Sequence, residues 1–465
     1  MCQNILGMDN VVFYGSALLV LFGAITVGYL IVQLPWIRRS FLPASVAAGL
    51  VLLLLSPQLL GKFPTESSIA ESLYKAWEPL PGLFINVIFA ALFLGKPLAS
   101  LKGIWRMAAP QAAFGQMIAW GYYAVGSFVV LFILAPVFGT NHLAASLLEI
   151  SFEGGHGTAA GMESVFSELN YKTGQEMAVA LATTSLFATL TVGFTLISIG
   201  RRRNLIEKDT LSVDKVKGMV YHRRIVAQLL KIGYNLREDL AFWRIISHII
   251  LLIAGVLIGW AIHWLMLQIE GTTWGAAGDL KIFGYMPRFT FCMFGGMIAQ
   301  TIWRRLGFKI SLPLIDLLSS IVLAMLVTSA IGTMKLDFVS TDGVAFLILA
   351  LSGVLWVLFC FVFLARHIFV RHWFTNAIIG IGQSMGTTAT GLLFAHVVDP
   401  KQRTGAVESF GYKQLLFEPF MGGGIVTAMS MPMIVLFGLP KFMVICAMVS
   451  FAWLTFGVLA LNKHP

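Results

Sequence analysis

The chain has 465 residues, of which 58% are hydrophobic and 12% charged, with a net charge of +10 and a mean hydropathy of +0.83. Soluble domains carry about 25% charged residues, so this balance excludes an ordinary soluble enzyme and identifies an all-α polytopic membrane protein. The basic excess lies in short loops beside apolar runs, which is topology information and gives no reason to expect a nucleic-acid partner.

The first apolar run precedes Arg38-Arg39, the reverse of a signal peptide's charge order, so it is read as a true span. With about 20 apolar residues needed per crossing, the sequence predicts spans near 11–33, 42–61, 79–97 and 107–137, a hairpin near 144–165, and a span near 177–199. A basic linker follows. The second half gives spans near 244–268, 286–304, 312–333 and 343–365, a hairpin near 374–397, a span near 406–430 and a last one near 440–461. Residues 1–200 then form a first transmembrane repeat, 201–243 a cytoplasmic linker, 244–431 a second repeat, and 432–465 an additional C-terminal helix. With the N-terminus outside, the cytoplasmic segments hold 23 of the 32 Lys and Arg residues, ten of them in the linker. Five spans precede that linker, so the second half starts from the opposite face and the two five-helix repeats are inverted.

The first hairpin carries Glu149-Ile-Ser-Phe-Glu-Gly-Gly-His-Gly-Thr158. Gly154, Gly155 and Gly157 weaken a helix, and exposed backbone at membrane depth is tolerated only inside protein or along a polar cavity. The pattern predicts a re-entrant turn at Gly155-His156-Gly157, with a helix restarting at Thr158 as N-cap. Free N–H groups and a positive helix end suit an anion, and unused carbonyls suit a small cation. The second hairpin repeats the small-and-hydroxyl pattern in Gly382-Gln-Ser384-Met-Gly386-Thr387-Thr388, with Gly386-Thr387 falling 229 positions after Gly157-Thr158. Paired Gly-interrupted segments in corresponding positions of two halves point to a transporter's binding site.

Ionisable groups inside spans are site candidates by default. Glu149, Glu153, Lys413 and Glu418 are the coupling candidates, while Glu408, Asp316 and Arg288 have interfacial explanations. Oxygen donors for a hard cation would come from Asn86, Thr158, Ser319, Ser320 and Thr387. Gly422-Gly-Gly424 is read as a place of close helix packing. Cys2, Cys292, Cys360 and Cys446 show no paired spacing. No hydrolase, nucleotide or dinucleotide motif occurs, and the chain is not expected to be an enzyme.

At the first hairpin, Gly154-Gly155-His156-Gly157-Thr158 resembles the bacterial sodium/glutamate symporter family. Leu42–Gly49, Phe89–Lys102, Gln175–Thr183 and Met286–Gly296 are similar to that family in the same order. The resemblance implies two inverted five-helix repeats whose hairpin tips, Gly154 to Thr158 and Ser384 to Thr388, form the substrate site. It also implies Na⁺ as coupling ion, glutamate or a related anion as substrate, a homodimer, and residence in a bacterial inner membrane. Glu153 departs from the family's small hydroxyl there, the second hairpin is poorer in glycine, and the last span is extra. An additional carboxylate makes proton coupling to a different anion the alternative, with a non-transporting enzyme or receptor behind it.

Overall fold

A computed structural model describes residues 6–34, 37, 42–58, 67–92, 94–95, 101–171, 173–206, 242–273, 283, 286–400 and 403–459. Every regular element among these is helical. In chain order they are α1 (Leu6–Gln33), α2 (Ala44–Leu54), α3 (Ser67–Trp77), α4 (Leu80–Ala91), α5 (Leu101–Val129), α6 (Gly155–Gly161), α7 (Glu163–Glu168) and α8 (Gly174–Arg202). There follow α9 (Phe242–Thr272), α10 (Arg288–Arg305), α11 (Leu312–Gly332), α12 (Gly343–Phe359), α13 (Trp373–Ser384), α14 (Thr388–Val398), α15 (Ala406–Phe417), α16 (Ile425–Phe437) and α17 (Leu439–Leu459). Most of the linker, 207–241, lies outside the described residues.

Among the described residues, seven helices are long and apolar enough to cross a membrane, within α1, α5, α8, α9, α11, α12 and α17 and the turns that extend α5 and α12. Their outer faces are apolar: Leu19, Leu257, Leu351 and Phe451 are all more than half exposed. Such faces belong in hydrocarbon.

Three expected spans come out differently, while the one near 286–304 forms α10. Among the described residues of 42–61 only the 11 of α2 are helical, because Ser56 precedes Pro57 and that position disfavours helix. Among the described residues of 79–97 the helix is the 12-residue α4, which begins with Pro81 in its first turn and is followed by Gly95 in the left-handed region at φ 79°. α10 spans 18 residues with Arg288 at one end and Arg304-Arg305 at the other. The stretch 406–430 is not one helix: it breaks between α15 and α16, where Gly422 and Gly423 take φ of 67° and 106°.

The chain folds into two compact units, each drawing on both halves of the sequence. The first holds Met1–Gly95, Leu240–Trp260 and Phe291–Leu336. Here small residues bring helices close, as expected where no hydrophobic effect drives helices together. A Cβ on Gly296 would stand 2.0 Å from the Ala90 carbonyl, and one on Gly28 2.3 Å from that of Ala44. The Gln300 side chain accepts from the Gly95 N–H at 2.6 Å, and the Trp77 indole donates to Ala17 O at 2.8 Å.

The second unit holds Lys96–Asp239, Ala261–Thr290 and Asp337–Pro465. α5 runs through its middle and packs against α12, α15 and α17. Close approach is again set by glycine: a Cβ on Gly121 would meet the Trp356 ring at 2.0 Å, and one on Gly126 the Ala145 carbonyl at 2.3 Å. The Trp356 indole donates to Ile118 O and Ser450 Oγ to Met117 O, which ties α12 and α17 to the same stretch of α5. α13 and α14 pack against each other and against α8, where the rings of Phe374 and Phe394 lie over Gly200 and Gly193. Those glycines are seven residues apart, two turns along one helix face.

Candidate functional site

Three interrupted helices meet in the second unit. The first interruption follows a π-helical turn, Glu149–Glu153, and falls at Gly154-Gly155, with Gly155 at φ 67°. The expected turn at Gly155-His156-Gly157 is therefore displaced toward the N-terminus. Helix α6 already begins at Gly155, and Thr158 lies inside it rather than at its cap. The left-handed residue sets the break, and only glycine takes that conformation freely. The second interruption, Met385 to Thr387, behaves as expected for a capped restart: Thr387 Oγ1 accepts from Thr390 N at 3.3 Å. The third, Glu418 to Gly424, separates α15 from α16. A Cβ placed on Gly155 would have Gly386 O as its nearest neighbour at 3.9 Å, so the first two breaks face each other.

Glu149 ties the first break to the third. Its Oε1 accepts from Gly422 N at 2.9 Å and Thr427 Oγ1 at 2.8 Å, and its Oε2 accepts from the Tyr123 hydroxyl at 2.5 Å. The carboxylate is fully buried. Three donors converge on its two oxygens, so Glu149 pins the first break to the third. Thr158 Oγ1 adds a second tie by donating to Gly422 O at 3.2 Å. The triple glycine, expected to mark close packing, does sit where segments approach closely, and it also presents backbone N–H and C=O groups to the first break.

Glu153, four residues on, ties the first break to the second. Its Oε1 accepts from Gln383 Nε2 at 2.8 Å and Ser384 Oγ at 3.4 Å. Its Oε2 is buried and has no hydrogen-bond partner among the described residues. Gln383 in turn accepts through Oε1 from Lys413 Nζ at 2.6 Å. Lys413 is 1% exposed, with its ammonium 3.6 Å from the centre of the Phe417 ring and packed against the bare backbone of Gly115. A carboxylate, an amide and an ammonium thus stand in line across three chain segments. Glu418 also acts electrostatically on that ammonium. It accepts from Thr388 Oγ1 at 3.3 Å and Gln414 Nε2 at 3.1 Å, fixing the start of α14 to the end of α15.

His156 is buried and its Nε2 lies 2.9 Å from Thr183 Oγ1. That hydroxyl donates to Val179 O, so His156 Nε2 carries the proton and donates to Thr183. The imidazole anchors α6 to α8. Gly157 sits in the same short helix, and Gly386 and Thr388 lie around the second break.

The structure thus brings together Glu149, Glu153, Gly154, Gly155, Thr158, Ser384, Gly386, Thr388, Lys413 and Glu418. Asn86, Ser319 and Ser320, the other expected cation donors, lie in the first unit. Asn86 is committed there, accepting from Trp260 Nε1 and Cys292 Sγ and donating to Gly82 O. Ser320 is exposed and donates to Asp316 O. Gln383, Gln414, Tyr123, Thr427 and Gly422 were missed as site residues. A lone amide between glycine and serine in the second hairpin was the available signal for Gln383, and the Pro419-to-Gly424 composition for the third break. No protein family model matches this chain, and no curated protein matches it significantly.

Proposed function

We propose that the chain is a secondary active transporter, a symporter that carries glutamate or a related amino-acid or organic anion with sodium by alternating access. The observation that carries this reading is the meeting of three broken helices around buried charges. Broken helices offer free N–H groups to an anion and free carbonyls to a cation, which is how membrane transporters build midplane sites. Gly155, His156, Gly157, Thr158, Ser384, Gly386, Thr387 and Thr388 are the substrate-facing residues in this reading. Glu153 is the coupling carboxylate.

Inverted repeats with re-entrant hairpins are part of the proposal. In support, the two halves follow one order of elements at a nearly constant offset. A π turn occurs at Val130–Leu134 and again at Cys360–Leu364. A helix break then follows at Gly154-Gly155 and at Met385–Thr387, and the next helices start at Gly174 and Ala406. We place the chain in a bacterial inner membrane as a homodimer, with the N-terminus outside and the linker in the cytoplasm. The half-satisfied Glu153 favours proton coupling as the second reading, since a protonated carboxyl needs fewer donors than a carboxylate.

Purified protein in liposomes tests the function. Twenty amino acids and common dicarboxylates are offered with and without an inward sodium gradient, then with a proton gradient. Sodium-driven accumulation of an anionic amino acid is expected. No uptake of any of them under either gradient contradicts transport.

A further inference from the structure

We infer that Lys413 is a tethered cation that takes the place of one coupling ion, and that Glu153 Oε2 is the position left for a single mobile sodium. This rests on the transport reading for its purpose, but its test does not require transport.

The geometry supplies the argument. Lys413 is 1% exposed, and its hydrogen bond goes to the Gln383 oxygen, whose amide nitrogen donates to Glu153 Oε1. A buried ammonium needs compensating negative charge, and Glu153 and Glu418 are the carboxylates acting on it. The described link to Glu153 runs through the amide, so the ammonium polarises Oε1 without covering Oε2. Glu153 Oε2 is therefore a buried carboxyl oxygen with no hydrogen-bond partner among the described residues. The Ser384 hydroxyl donates to the other oxygen, Oε1, at 3.4 Å, so the polar contacts gather on one side of the carboxyl and leave Oε2 to a hard cation. Glu149 offers no such position, since both its oxygens are already met by donors. The two carboxylates thus divide: one is pinned and one is open. The ammonium itself is fixed by Phe417 and Gly115, so it cannot leave with the substrate. It is a permanent cation where a freely exchanging ion would otherwise be recruited.

The test uses sodium alone as the probe. Thermal unfolding of the full-length detergent-purified chain is followed against sodium concentration, with choline holding ionic strength constant. A ligand bound only by the folded state raises the midpoint in proportion to the number of ions bound. The wild type is expected to follow a one-ion dependence. Lys413→Met is expected to follow a two-ion dependence, and Lys413→Arg to stay at one. Glu153→Gln is expected to lose the sodium effect. Because a lone buried carboxylate disfavours folding, the double variant Glu153→Gln/Lys413→Met is made alongside; it is expected to recover the yield lost by Lys413→Met and to show no sodium effect. Three results overturn the inference: no sodium effect on the wild type, an unchanged ion order in Lys413→Met, or wild-type sodium stabilisation in the double variant. Liposome uptake is scored separately, so absence of transport with these sodium orders intact overturns the transport reading alone.

Discussion

Glu149 and Glu153 lie one turn apart in a single π-helical segment, yet three donors converge on Glu149 whereas Glu153 Oε2 has no hydrogen-bond partner among the described residues. The difference predicts different losses. Glu149→Gln turns an amide N–H toward a donor and should cost about 1–3 kcal/mol of stability, read as a lowered unfolding midpoint. Glu153→Gln removes one of the two carboxyls that act on the buried Lys413 ammonium, so it should lower the midpoint in sodium-free buffer and also change the sodium or pH dependence of uptake. An unchanged uptake profile would make Glu153 a structural residue. A second residue-scale prediction concerns the left-handed break. Gly155→Val forces a β-branched residue to φ 67°, costing roughly 1–2 kcal/mol, and puts a side chain into the gap before Gly386 O. Uptake should vanish while a folded protein is still recovered. The glycines were legible in the sequence as a break, but which of them takes positive φ was not. Composition marks a weak helix without saying where the chain turns, and the structure places that residue at Gly155 rather than at Gly157.

Elements show the same division. The long helices α1, α5, α8, α9, α11, α12 and α17 were legible because uninterrupted apolar length is visible in sequence. The break between α15 and α16 was missed although Pro419 and the glycines of Phe417-Glu-Pro-Phe-Met-Gly-Gly-Gly424 weaken helix, because composition alone does not tell a break from close helix packing. What opens it is tertiary: Gly422 N–H is held by Glu149, 273 residues earlier. Gly422→Ala should therefore be harmful, because its φ of 67° and the 3.2 Å approach to Glu153 O leave no place for a methyl group. The expected result is a lower unfolding midpoint together with loss of uptake. At the loop after α14, burial pushes the Asp399 carboxyl up, but the Thr404 hydroxyl and N–H and the Arg403 N–H outweigh it and hold it below the ordinary carboxylate value. The stability it supplies is complete at neutral pH and is lost as pH falls through that lowered value. Asp399→Asn should lower the midpoint at pH 7, and the difference from wild type should shrink in strong acid.

On the scale of the whole molecule, the packing units do not follow the halves of the sequence. Each collects segments from both, and this interleaving was invisible without coordinates because hydropathy records spans and not their neighbours. The proposed inverted repeat makes a topological prediction at two loops whose central residues, Lys172 and Lys401, lie outside the described residues. In a cysteine-free background, Lys172→Cys should react with an impermeant maleimide on intact cells, and Lys401→Cys only after lysis. Labelling of both from one side would remove the inverted repeat. The central claim, that the three helix breaks form the site of an anion symporter, is tested most directly by paired uptake measurements. Wild type and Gly155→Val are reconstituted at equal protein density under an inward sodium gradient. The account predicts sodium-driven accumulation of an anionic amino acid by the wild type and background uptake by Gly155→Val. Equal uptake by the two proteins, or none by the wild type under sodium or proton gradients, would contradict it.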